Sequence, residues 1–284
     1  MAVCGENRFH GGPAFRPAFA ASLNEGAQAS GRNRSLRPGS SLTACKSPNP
    51  WHKPFMINAD FIALAVFAFL WIGYSWLTDR ARLFDRVSLS RAMTAQRAIW
   101  IRTAMHRDLR MIDTQIMSGL QNGTAFFAST SMFALGSCFA LLGATDQVFA
   151  LFDHLPQLFQ ASRASFELKV GGLACIFGYA FFKFGWSYRL FNYCTILLGA
   201  IPMNSEIEKD PAAAELAADK VIHMNVLAAK HFNKGLRAIF LSIGYLGWFV
   251  SPYLFMATSV AIIVVLIRRQ FYSEARLAIL HGME

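Results

Sequence analysis

The chain has 284 residues, 54% hydrophobic and only 15% charged, whereas soluble domains carry about 25% charged residues. Its 26 Phe and long apolar blocks exclude an ordinary water-soluble domain and point to lipid as the solvent. The formal net charge of +10 is no nucleic-acid signature, because the basic residues cluster in the first 55 positions and between apolar blocks, where they set membrane orientation.

Residues 1–55 contain seven Lys and Arg, are rich in Gly, Pro, Ser and Asn, and lack apolar periodicity. Such a stretch cannot bury enough apolar surface to offset chain entropy, so a disordered basic extension is expected. It has no apolar core of the kind a signal peptide needs, and no amphipathic helix to support a transit peptide. Met56 opens MINADFIALAVFAFLWIGYSW, and translation is expected to begin there, leaving 1–55 upstream.

A bilayer crossing takes about 20 mostly apolar residues. Four segments of the expected membrane domain, 56–284, qualify: 57–77, 124–144, 168–201 and 236–267. The first has Asp60 at one edge and Trp71, Tyr74 and Trp76 toward the other, as in an interfacial belt. The second is uncharged. The third would be roughly 50 Å long at 1.5 Å per residue, so it must tilt or project. The fourth is also too long for one straight span, and Gly244, Gly247 and Pro252 offer a kink. The expected fold class is all-α: a polytopic membrane protein with about four transmembrane helices, residing in the plasma (inner) membrane.

Arg80, Arg82, Arg86, Arg91, Arg97, Arg102, Arg107 and Arg110 lie between the first two segments, and Lys209, Lys220, Lys230 and Lys234 follow the third, whereas 145–165 holds only Arg163. The positive-inside rule places the first and third connections in the cytoplasm and both termini outside. Arg268, Arg269 and Arg276 would then face outward. A re-entrant hairpin at Pro252 would bring that tail back inside, but a kinked single span is the expectation. Within the first connection, Ala98, Ile101, Met105, Leu109, Ile112 and Ile116 recur at helical spacing, with Ser88 or Ser90 as N-cap. This predicts a long amphipathic cytoplasmic helix, 89–120, whose arginines contact anionic lipid headgroups. A further helix is expected at about 211–235.

Ionisable groups within spans usually face a bundle interior. Lys183, Arg189 and Asn192 lie in the third segment, and His231, Asn233 and Arg237 precede the fourth. Most of these unusual polar residues collect at one membrane face. They are the candidate lining of a cytoplasm-facing cavity whose positive groups could hold an anion, a lipid headgroup or a small metabolite. Interfacial caps and snorkelling side chains account for the same residues. Gly119 and Gly123 form a G-x-x-x-G that suits close helix packing.

Catalytic motifs are absent: there is no H-E-x-x-H, G-x-S-x-G or G-x-x-x-x-G-K-[ST]. The five cysteines make neither a C-x-x-C nor a disulfide framework. No catalytic residue, metal site or cofactor is expected, and an enzyme is the least favoured class. The stretches RDLRMIDTQIMSGLQNGTAFFASTSM, FFKFGWSYRLFNYCTILLGAIP and HFNKGLRAIFLSIGYLGWFVSPYLFM resemble an uncharacterised membrane family, domain of unknown function 599, over about 57–275. The resemblance implies several spans and no established activity, and it supplies no site residues. Two function classes stay open. One is a transporter or channel component, which would require a homo-oligomer because four spans rarely enclose a private pathway. The other is a scaffold or lipid-binding protein.

Overall fold

Helix starts are written in the local sequence. Ser88, Ser162, Ser251 and Ser273 each precede a helix and accept a hydrogen bond from the backbone N–H three residues on, and Asp210 does so ahead of Pro211. The computed structural model describes residues 58–80, 88–152 and 162–281, without the side chains of 79, 80, 151 and 152. The basic extension, Met56, Arg82, Arg86 and the Arg80 side chain lie outside the described residues.

In chain order the elements are α1 (Asn58–Arg80), α2 (Leu89–Met105), α3 (Met111–Gly143), α4 (Thr145–Phe152), α5 (Arg163–Gly199), α6 (Asn204–Ile207), α7 (Pro211–Tyr245), a 3-10 turn (Leu246–Phe249), α8 (Pro252–Phe271) and α9 (Glu274–Leu280). No strand occurs among the described residues. Four of the described segments are long and apolar enough to cross a bilayer: Asn58–Thr78, Met111–Gly143, Arg163–Gly199 and Pro252–Leu280. The protein is an all-α polytopic membrane protein. Phe69, Phe133, Phe182 and Tyr253 point outward with more than 70% of their surface exposed, a density of bare aromatics that lipid accommodates and water does not.

α5 and α7 form the axis. They run antiparallel along their whole length, matching Lys169 with Trp248, Ser187 with Ala228 and Cys194 with Val221. Glycines permit the approach at two levels. A Cβ on Gly172 would lie 2.2 Å from the Tyr245 hydroxyl, and one on Gly235 would lie 2.7 Å from the Phe184 ring.

The excess length of the third segment is thereby explained, because the axis serves two stacked cores. One core packs α1, α3, α8 and the turn around Phe67, Phe184, Tyr245, Trp248 and Phe255. The other packs the first half of α7 and the last turns of α5 against α2 and the start of α3, through Ile101, Met117, Leu198 and Val221. α3 lies along α5, tied by Gln121 Nε2 donating to Asn192 Oδ1 at 2.8 Å and to Thr195 Oγ1 at 2.9 Å.

Two expectations need revision. The stretch 236–267 is not one kinked span. It comprises the end of α7, a turn, and α8 folded back antiparallel, so that the Thr258 hydroxyl donates to the Gly244 carbonyl at 2.8 Å and Arg269 reaches the Phe240 ring. Pro252 cannot continue a helix, and Gly244 and Gly247 let the two backbones meet: a Cβ on Gly247 would stand 3.1 Å from the Leu254 carbonyl. Arg268, Arg269 and Arg276 therefore return to the end of the bundle that holds α2.

The helix expected at 89–120 ends at Met105, and a new one starts at Met111 and continues into the second span. Arg110 holds the break by donating to the carbonyls of Ile201 and Pro202, both at 2.6 Å. Only Ile101 and Met105 of the apolar series are buried, while Leu109, Ile112 and Ile116 are exposed.

Candidate functional site

Between the two cores, at the end where the arginines collect, the helices enclose a cavity of about 780 Å³. Its walls are the last turns of α1, the first turns of α2, the Gly119–Thr124 stretch of α3, the middle of α7 and the last turns of α8. Six cationic side chains line it: Arg91 and Arg97 from α2, Lys230, Lys234 and Arg237 from α7, and Arg269 from α8. No carboxylate occurs among the described residues that line it. Like charges repel by roughly 2 kcal/mol at 8 Å in an effective dielectric of about 20, so such a cluster favours an anion in its midst.

Three of the cations make contacts with neutral groups among the described residues. Arg237 donates to the Thr78 hydroxyl at 2.5 Å and lies 5.9 Å from the Tyr74 ring centroid. Arg97 donates to the side-chain oxygen of the fully buried Asn225. Burial draws the Arg97 guanidinium below its ordinary value, with a nearby Cys194 opposing that shift; the group still starts so far above neutrality that it keeps its charge. Arg269 lies 5.3 Å from the Phe240 ring centroid. The contacts of Arg97 and Arg269 with Asn225 and Phe240 leave their positive charges uncancelled. The remaining wall is apolar, with Phe191, Phe232, Leu236 and Leu266, so the cavity is amphipathic.

The six residues singled out in the sequence divide. Asn233 and Arg237 line the cavity. Lys183 sits over the Tyr179 ring, and His231 faces Trp186 at 6.5 Å between ring centroids, with Nδ1 buried and unbonded. Arg189 is exposed and donates to the Tyr193 hydroxyl at 2.6 Å, and Asn192 joins α5 to α3. The division is geometric: of α5, only Phe191 reaches the cavity wall. The residues missed were Arg91, Arg97, Lys230, Lys234 and Arg269. A signal for part of this existed, since Lys230, Asn233, Lys234 and Arg237 follow the i, i+3, i+4, i+7 spacing of one helix face. Arg269 had no such signal, because its position depends on the hairpin.

Gly119 and Gly123 make no close helix contact among the described residues of the chain. Both are exposed, both line the cavity, and a Cβ built on either meets nothing within 4 Å. No group of three or more His, Cys, Asp or Glu among the described residues is arranged to hold a metal.

At the opposite end the bundle is closed. Trp248 stacks on Phe255 at 5.3 Å and 17°, Tyr245 meets both rings edge-on, and Phe67 packs beside them. Trp248 Nε1 donates to Asp60 at 2.7 Å, and Lys169 donates to the Trp248 carbonyl at 2.8 Å.

The family model described as "Protein of unknown function, DUF599" matches residues 62–275, most of the chain, and the protein belongs to that family. No curated protein and no solved structure matches it.

Proposed function

We propose that this member of the DUF599 family binds an anionic, phosphate-bearing group in the basic cavity at the cytoplasmic face of its membrane. One observation carries the reading: Arg91, Arg97, Lys230 and Arg269 share the cavity with no carboxylate among its described lining residues. The orientation rests on the positive-inside rule. With α8 folded back on α7, Arg268, Arg269 and Arg276 join the arginines of the first connection, so the basic segments collect on one side. The aromatic closure around Trp248 supports a binding role over an open conduit.

The test is thermal stabilisation of the detergent-solubilised protein by inorganic pyrophosphate. A ligand at a hundred times its Kd stabilises the folded state by about 2.7 kcal/mol, a rise of several degrees in Tm. Arg91→Ala with Lys230→Ala, both at exposed positions, should leave the unliganded Tm in place and weaken the response at least tenfold in concentration. An identical response in wild type and double variant would refute the reading.

A further inference from the structure

We infer that Asn225 is a positioning residue of the anion site: from behind the cavity wall it aims the Arg97 guanidinium at the bound phosphate and, being neutral, leaves the charge of that guanidinium for the ligand. The inference rests on the binding role proposed above and names the residue that makes one of its cations usable.

Arg97 stands at the seam between the cavity and the second core, the one built around Ile101 and Met117. It lines the cavity, and Ile101, one turn further along the same face of α2, is fully buried in that core. A half-buried guanidinium at such a seam needs a partner, because taking an ion out of water is costly. The partner is Asn225 of α7, whose Oδ1 accepts a hydrogen bond from Arg97 Nη1. Asn225 has no exposed surface and is not among the described lining residues, so it acts on a ligand only through Arg97.

The direction of the amide is fixed. Its Nδ2 donates to Met117 Sδ at 3.5 Å and to Cys194 Sγ at 3.6 Å, and both of those side chains are fully buried. With the amide reversed, Nδ2 would meet the guanidinium donor to donor. A guanidinium carries several N–H donors in one planar fork. With Nη1 pinned to Asn225, the remaining donors can grip the oxygens of a phosphate.

Neutrality is the informative part. Elsewhere in the same core, the fully buried Asp113 receives Arg107 at 2.6 Å. Asp and Asn have nearly the same shape, so a carboxylate at 225 would accept the same bond from Arg97 and strengthen it. It would also cancel the positive charge at the cavity. The amide orients the guanidinium without that loss, a choice that suits anion binding better than stability.

The experiment separates the two. Wild type, Asn225→Asp and Arg97→Gln are purified in detergent as the full chain, and Tm is followed while inorganic pyrophosphate is titrated. Asn225→Asp should melt unliganded at or above the wild-type temperature, yet need at least tenfold more pyrophosphate for half of the maximal stabilisation. A residue that merely filled the core would move Tm and response together. Arg97→Gln removes the same charge and adds none to the core, and should show the same tenfold weakening.

A wild-type response in either variant would overturn the inference and leave the anion site to Arg91, Lys230 and Arg269. Loss of Tm and response together in Asn225→Asp, or failure of that variant to fold, would make Asn225 a structural residue and overturn it as well. A wild type that does not respond to pyrophosphate would overturn the binding role itself.

Discussion

The packing of Gly235 beneath Phe184 offers a demanding test of the axis that builds the site. Phe184 is fully buried. Its ring stacks on Phe127 at 5.5 Å and meets Phe232 edge-on at 5.5 Å, so two rings limit its retreat. A Cβ at position 235 would lie 2.7, 2.8 and 2.9 Å from three of its carbons, against about 3.5–4.0 Å for an unstrained contact. Overpacking of this kind costs about 1–3 kcal/mol, and the better helix propensity of Ala returns up to about 1 kcal/mol. Gly235→Ala is therefore expected to destabilise by about 1–2 kcal/mol, or roughly 2–8 °C in Tm for a chain of this size.

The assay is fluorescence-detected melting in one detergent, with Phe184→Leu and the double variant alongside. Leu removes ring atoms that the new methyl would strike, so the double variant should melt higher than the sum of the single shifts by about 1 kcal/mol or more. A Gly235→Ala protein as stable as wild type, or strictly additive shifts, would refute the proposed register of α5 on α7.

Other consequences can be checked in the same format. Trp248→Phe removes one hydrogen bond, of 2.7 Å, to the buried Asp60 carboxylate and is expected to cost about 1.5–3 kcal/mol, visible as a lower Tm. Arg107→Ala removes the 2.6 Å ion-pair partner of Asp113, which is wholly buried and retains Trp100 as a donor. Because Arg107 itself is partly exposed, the expected loss is about 2–3 kcal/mol, below the full range for a buried pair, again read by melting. Arg102→Ala breaks contacts to Glu215 and Asp219 that are open to solvent on both sides, and should leave the melting temperature unchanged at physiological salt.

Most of the bundle was legible in the sequence because its signals were local. Apolar runs located the lipid-crossing helices, and Ser88 marked the start of α2. The hairpin was harder, since Gly244, Gly247 and Pro252 are compatible with either a kink or a reversal. Long-range contacts such as Thr258 to Gly244 decide between them. The break after Met105 was hidden for the same reason: no Pro or Gly marks it, and it is held from a distance by Arg110 on the carbonyls after α5.

The candidate site was half visible. Asn233 and Arg237 could be found from polar residues near a span, but the same rule selected Lys183 and Arg189, which α5 carries away from the cavity and satisfies with their own aromatic neighbours. Helix periodicity says which residues share a face. It does not say which neighbour that face meets.

The arginine-rich connection illustrates how the fold redistributes charge. As a sequence it reads as a uniform basic strip for any anionic surface, yet its arginines are not equivalent. Arg102 and Arg107 have carboxylates beside them, and Arg110 is committed to backbone carbonyls. Arg97 instead bonds the neutral amide of Asn225 and brings an undiminished charge to the cavity, as Arg91 does from the first turn of α2. The α7 stripe of Lys230, Lys234 and Arg237 faces them, and the hairpin supplies Arg269. Of the arginines that meet acids, Arg107 stabilises the fold through the buried Asp113, whereas Arg97 and Arg269 at the cavity meet an amide and an aromatic face. Neutral partners fix the direction of a guanidinium without cancelling its field. A binding site for a phosphate requires cations that are oriented but still charged, and Arg97 and Arg269 meet that requirement in the proposed site.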